Sequence, residues 1–431
     1  MDPESVKAFL AIGAIIFIGF FGNLIFTRFR VPDVLILIAL GMIIGPDILG
    51  GAFNIVTLGT LDAVENYRDF FLTAALVLIL FDGGLNLNIK SVMQSMKLAT
   101  FTTLLTLFLE IVIVALALHF IMDVDILLAL VVGSIVGGTG EAVVIPIVNK
   151  MRIRDETKSM LVMESVITDV LVIVIAITLM SVITLDTITA ADVARDLAVK
   201  FLVGGIIGFM AGIAWLFVLQ RLQNQPLSYM ITIAALFLVA GFVEMDPINS
   251  SAAVAALTFG LAVGNRRVVK RWLTSVTLRI STDEHIHAFH LEISFFVRTF
   301  FYVYLGLLFR FSTFETIHLA LGIGIIGIIV AVRRATSLVA ARLGSLDKGD
   351  ADALFSMMPR GLAAAVLATM PATLLTGTDI WKPEYEQLIL NVALIVILGT
   401  TILATILSFV TESRIDKRHK EAFRRKLAEN Q

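Results

Sequence analysis

The chain has no cysteine among its 431 residues, which excludes disulfides, a thiolate nucleophile and a cysteine-ligated iron–sulfur cluster. It is almost as poor in charge. Only 16% of its residues are Asp, Glu, Lys or Arg, 58% are hydrophobic and the mean hydropathy is +0.94; a soluble globular surface is not built from such a composition. Long polar segments are missing too, so no separate soluble domain is expected. In their place stands a succession of apolar runs, each near the roughly 20 residues that span a bilayer. They predict an all-α polytopic membrane protein of thirteen helices, near 6–26, 31–49, 70–89, 98–120, 126–149, 159–183, 197–220, 228–244, 248–264, 288–309, 316–342, 352–376 and 387–410. The first follows no basic region and precedes no small-residue cleavage site, so it reads as a retained helix rather than a signal peptide. One membrane domain over 1–410 is followed by a basic tail over 411–431.

Lys and Arg concentrate in alternate loops: Arg28 and Arg30, Lys150 to Lys158, Arg266 to Arg279, and the tail "RIDKRHKEAFRRKL". Cytoplasmic loops accumulate these residues, so the tail is placed in the cytoplasm. With an odd number of spans, the N-terminus is then outside. The expected location is the plasma membrane, with the basic tail against anionic lipid headgroups. Nucleic acid is not an expected partner.

Four arginines, Arg298, Arg333, Arg334 and Arg360, fall within predicted helices. An ionised side chain in hydrocarbon costs several kcal/mol by most estimates, so Arg333, Arg334 and Arg360 are expected to have buried partners. "LVMESVITDV" (161–170) supplies two acids, Glu164 and Asp169. Ser165 and Asp169 stand at i and i+4 on one helix face, whereas Glu164 lies about 100° round from Ser165. One acid is therefore suited to a structural ion pair and the other to an exchangeable site.

Two apolar runs are interrupted. "GSIVGGTGEAVVIPIV" (133–148) carries glycines, Thr139, Glu141 and Pro146; "MMPRGLAAAVLATMP" (357–371) carries Pro359, Arg360, Gly361 and Pro371. Unwound backbone survives in a membrane only where protein or a water-filled cavity covers it, and its freed carbonyls make ion ligands. Interrupted segments at corresponding places in two halves point to a transporter binding site. No Lys-Ser/Thr follows the first segment and no strand precedes it, which argues against a phosphate loop.

These motifs resemble, in order, those of the sodium/proton antiporters of the NhaP and mammalian exchanger type, the first branch of the monovalent cation/proton antiporter superfamily. "ESVITDV" is similar to the family's Glu-Ser-x-x-Asn-Asp, "FDGGLNLN" (81–88) to Phe-Glu-Gly-Gly-Leu, and "GGTGEAVV" to Thr-Asp-Pro-Val-Ala-Val. "RATSLV" (334–339) is similar to Arg-x-x-Ser/Gly-Val and "PRGLAAAVLA" to Leu-Arg-Gly. The resemblance implies two inverted six-helix repeats with crossed broken helices, here 6–183 and 228–410, joined by a linker helix at 197–220. It implies a homodimer, an elevator motion and a role in pH homeostasis. Asp169 would bind the cation or the proton, with Ser165 and Thr139 as further ligands, and Glu164 would pair with Arg334. Arg360 would support the site.

The chain departs from the pattern at two places. Thr168 replaces the asparagine before the essential aspartate, and Thr139-Gly140-Glu141 replaces Thr-Asp-Pro. Thr168 can still donate and accept a hydrogen bond. Glu141 reads as a charge at a helix start that the helix dipole stabilises, or as a second ligand or a gate. Because position 168 is not aspartate, the chain resembles the electroneutral branch. The expected activity is exchange of Na+ or Li+ for H+, with K+/H+ exchange as the alternative and a cation channel as a distant one. No enzyme activity and no cofactor are expected; no Gly-x-Ser-x-Gly segment surrounds Ser165. His285, His287 and His290 read as an interfacial helix start rather than a metal site or pH sensor. Gly204, Gly208 and Gly212 read as close helix packing.

Overall fold

The computed structural model describes residues 32–48, 68–86, 97–184, 190–222, 228–266, 299–344 and 346–429, with a few isolated positions besides. Apart from Gly13 and Phe17, both helical, the expected helix near 6–26 lies outside the described residues, as do the histidines at 285, 287 and 290 and Arg298. Among the described residues every regular element is helical. In chain order these are α1 (Asp33–Ile44), α2 (Arg68–Asn86), α3 (Lys97–Met122), α4 (Ile126–Val136), α5 (Glu141–Lys150), α6 (Asp155–Thr184) and α7 (Ala190–Arg221). Then come α8 (Ser228–Glu244), α9 (Ala252–Gly264), α10 (Thr299–Leu308), α11 (Thr316–Gly344), α12 (Lys348–Ser356), α13 (Leu362–Leu374) and α14 (Glu384–Glu429). Within these, the segments Thr100–Met122, Asp155–Thr184, Val199–Arg221, Thr316–Gly344 and Glu384–Ile415 are long and apolar enough to cross a bilayer.

Both interrupted runs are broken helices. The first splits into α4 and α5, joined by Gly137–Gly140; the second splits into α12 and α13, joined by Met357–Gly361. The first break follows from glycine, since Gly138 has φ +70°, a conformation other residues seldom adopt. Each break leaves helix ends without intrahelical partners. Asp125 caps the start of α4 by accepting from the Leu127 N–H at 2.8 Å, and Asp347 caps α12 by accepting from Asp350 N–H at 2.8 Å. Neither α5 nor α13 has a side-chain cap of its own; each starts at a glycine, Gly140 and Gly361.

The helices sort into two packed groups. In one, α9 runs along α2 and α7 and touches α8. The glycines of α7 permit this, as expected from their spacing: a Cβ at Gly208 would overlap the backbone of Ala255 on α9. In the other group α3 packs on α4 and α11, α6 on α4, α5 and α13, and α14 on α11, α12 and α13. The groups meet where α2 touches α6 and α13. The last helix differs from expectation in length. Where apolar periodicity suggests an end near 410, α14 continues as helix to Glu429, because no proline or glycine interrupts "TESRIDKRHKEAFRRKLAE".

Candidate functional site

The two breaks cross and touch. Gly140 N–H donates to Pro359 C=O at 2.8 Å, and a Cβ at Gly140 would fall on the backbone of Gly361. Only glycine lets the two chains come this close. At the crossing lies Asp169 of α6: its Oδ2 accepts from the Glu141 N–H at 3.0 Å, and its Oδ1 would be 3.5 Å from a Cβ on Gly361. The carboxylate thus caps α5 from a different helix and sits beside the start of α13. Helix starts carry partial positive charge, so two of them stabilise negative charge at this point.

Thr168 fastens the first break to α6. Its Oγ1 accepts from the Thr139 N–H at 3.0 Å and donates to Glu164 C=O at 2.9 Å, and the two threonine hydroxyls stand 3.3 Å apart. Thr139 is therefore brought to the site through its backbone as much as through its side chain. Ser165 is fully buried, and its hydroxyl donates to Val162 C=O of its own helix at 2.9 Å. Glu141 is the first residue of α5.

Glu164 does pair with an arginine of α11, but the partner is Arg333, not Arg334. The contact is a two-point one: Arg333 Nη1 reaches Oε1, and Nη2 donates to Oε2 at 3.0 Å. Arg333 also donates from Nε to Leu354 C=O of α12 at 2.9 Å. Arg334 faces outward with its side chain 48% exposed; its Nη1 stands 3.8 Å from Asp352 Oδ1 and its guanidinium lies over the Phe355 ring. Adjacent residues on a helix are separated by about 100°. Arg333 shares the buried face with Ile329, Thr336 and Ala340, whereas Arg334 is turned away from it. The expectation of a buried partner for Arg334 fails for that reason.

Two acids not singled out from sequence complete the surroundings. Glu110 of α3, 2% exposed, stands 3.1 Å by Oε2 from Nη2 of the fully buried Arg360. Asp82 of α2 precedes Gly83, where a Cβ would press on the side chain of Val170, the residue after Asp169. "FDGG" and the lone glutamate in "LFLEIVIV" are the signals that mark them: charges in otherwise apolar runs. At one end of the broken helices Arg154 bonds Asp350, which is buried, while the guanidinium is half exposed. The Asp350 carboxylate pushes the Arg154 pKa above the ordinary arginine value. Asp352 of α12 also receives Arg414 of α14, at 3.8 Å. Along α6 from Asp169, a cleft of about 370 Å³ separates Thr178 and Ser181 from Lys200 of α7, Glu244 of α8 and Ser251 before α9.

Comparison with known proteins identifies a family and a shared fold. The family model described as "Sodium/hydrogen exchanger, transmembrane" matches residues 13–411. A K(+)/H(+) antiporter NhaP of Alkalimonas amylolytica is 28% identical over 266 residues, 60% of this chain and 44% of that protein. A probable Na(+)/H(+) antiporter 2 of Methanocaldococcus jannaschii is 25% identical over 358 residues, 80% of each. The chain spans less than half the length of the potassium/proton relatives it matches. In fold it is similar to the solved structure of the sodium proton antiporter MjNhaP1 of M. jannaschii, with a TM-score of 0.75 at 18% identity, covering 94% of this chain and 99% of that one.

Proposed function

The chain belongs to the sodium/hydrogen exchanger family, and from that membership we propose that it exchanges a monovalent cation for a proton across the plasma membrane, one for one, at Asp169. The observation that carries this reading is the carboxylate at the crossing of two broken helices, held by the Glu141 N–H and flanked by Gly361. A bare carboxylate carried through a bilayer is costly. Loaded with either a proton or an alkali cation it is neutral, so only the loaded site crosses readily and the two ligands exclude each other. Exchange then needs no further coupling device. Glu164 with Arg333 and Glu110 with Arg360 are matched pairs, so these four charges add nothing net beside the site.

Movement in this reading is of α3 to α6 and α11 to α14 against the α7–α9 group, in a homodimer held by the latter. The cleft beside α6 is consistent with an interface that slides. The single membrane domain, the inverted repeats 6–183 and 228–410, and a cytoplasmic C-terminus belong to the same proposal. Thr168, an uncharged residue before Asp169, supports one charge per cycle.

Sodium, with lithium, is the first choice of cation. Potassium is the second reading, favoured by the potassium/proton antiporters among the relatives. Hard oxygen ligands suit all alkali ions, and cavity size and ligand number choose among them. Proteoliposomes carrying a pH-sensitive dye should respond to sodium or lithium. The response should vanish in Asp169→Asn and stay constant when a membrane potential is clamped. A potassium response at least as large as that to sodium would change the ion. No response to any alkali cation would count against antiport and favour a channel.

A further inference from the structure

Arg360 sits between the two residues that make the crossing: Pro359, whose C=O accepts from Gly140 N–H at 2.8 Å, and Gly361, which lies against Gly140 and beside Asp169. It cannot shift without moving both. Its backbone is held by α14, since its N–H donates to Thr400 Oγ1 at 3.2 Å, and its side chain by α3, through Glu110 at 3.1 Å. Among the described residues none of its three guanidinium nitrogens has a hydrogen-bond partner, and the Glu110 contact is an ion pair. Glu110 is therefore the main hold on a fully buried cation one residue away from the site.

Resting on the antiport reading, we propose that Glu110 is a positioning residue of the ion site: it anchors Arg360, keeps the second break against Asp169, and balances the buried positive charge of Arg360, the residue next to Gly361. The other charges around these groups do not substitute for it. Glu164 of α6 and Arg333 of α11 are engaged with each other. Asp82 of α2 stands beside Gly83, which lies against Val170 of α6, and Glu141 begins α5. Thr400 supplies α14's contact and is neutral.

Glu110→Gln preserves shape and removes only charge. Arg360 then repels an arriving cation and favours ionised Asp169. The cation KM should rise severalfold. The pH of half-maximal exchange should fall by about half a unit or more, a factor of about three in proton affinity. Glu110→Asp, which keeps the charge, should lie near wild type. Arg360→Gln, which removes the positive charge instead, should move the pH profile the opposite way, and the double variant Glu110→Gln/Arg360→Gln should bring it back toward wild type. A lower melting temperature for Glu110→Gln with KM and pH profile unchanged would mean a purely structural pair and overturn the proposal. If Glu110→Gln does not fold, Arg360→Gln and the double variant still decide it: identical pH profiles in those two would equally overturn it. Wild-type liposomes that respond to no alkali cation would instead remove the antiport reading on which it rests.

Discussion

Glu164→Gln isolates the structural half of the α6 charge pair. In the native protein the Glu164 and Arg333 side chains are 6% and 4% exposed, so neither charge is hydrated. The glutamine keeps one acceptor for the guanidinium, but its amide turns a donor toward a group that has only donors, and Arg333 is left without an anion of its own. Glu110, the acid of α3, is occupied by Arg360. Removing one member of a buried pair typically costs about 3–5 kcal/mol. Asp169→Asn is a much milder change, because an asparagine oxygen can still accept from the Glu141 N–H; one hydrogen bond is worth about 1 kcal/mol net. Melting temperatures of the purified protein in detergent, without alkali cations, should therefore rank wild type close to Asp169→Asn and well above Glu164→Gln. Transport should show the reverse priority, with Asp169→Asn inactive although folded. A further variant tests the cause: Glu164→Leu with Arg333→Met leaves no stranded charge and should recover much of the lost stability. If Glu164→Gln and Asp169→Asn melt alike, or Asp169→Asn melts lower, the two acids do not divide the work in this way.

Gly140→Ala forces a Cβ into the Gly361 backbone, a strain of the overpacking kind that costs about 1–3 kcal/mol; it should lower the melting temperature and abolish exchange, whereas Ala at Gly241, where nothing lies near, should leave exchange intact. Thr168→Val leaves the Thr139 N–H buried without its acceptor, at about 1–3 kcal/mol, and Thr168→Ser should restore both melting temperature and transport. Arg154→Gln loses the bond to Asp350, but its guanidinium is half exposed. Its effect on melting should be smaller than that of Glu164→Gln and should shrink in high salt, which screens exposed charges but not buried ones.

The breaks and the acid between them were legible because they violate local rules. Glycines and prolines inside apolar runs, and carboxylates in hydrocarbon, stand out against a helical pattern without any knowledge of tertiary structure. The pairing of Glu164 was legible only to within one residue. Arg333 and Arg334 are chemically identical, and the motif "RATSLV" favoured the second; what separates them is which face of α11 meets α6 and α12, a property of packing. Glu110 was hidden for a related reason. A lone glutamate in an apolar helix announces a buried partner but not its identity, and Arg360 lies 250 residues further along the chain. The extension of α14 past the expected membrane boundary was missed because the apolar pattern ends there while the helix does not.

The start of α5 has no cap among its own residues and borrows one from Asp169 across the site. When a proton or a cation takes up the carboxylate's charge, that helix end loses part of its acceptor. Occupancy is thus written into a single backbone amide. The Glu141 N–H is a built-in gauge, and its hydrogen-exchange rate and chemical shift should follow loading of the site even in a protein held still in detergent, where nothing is being transported.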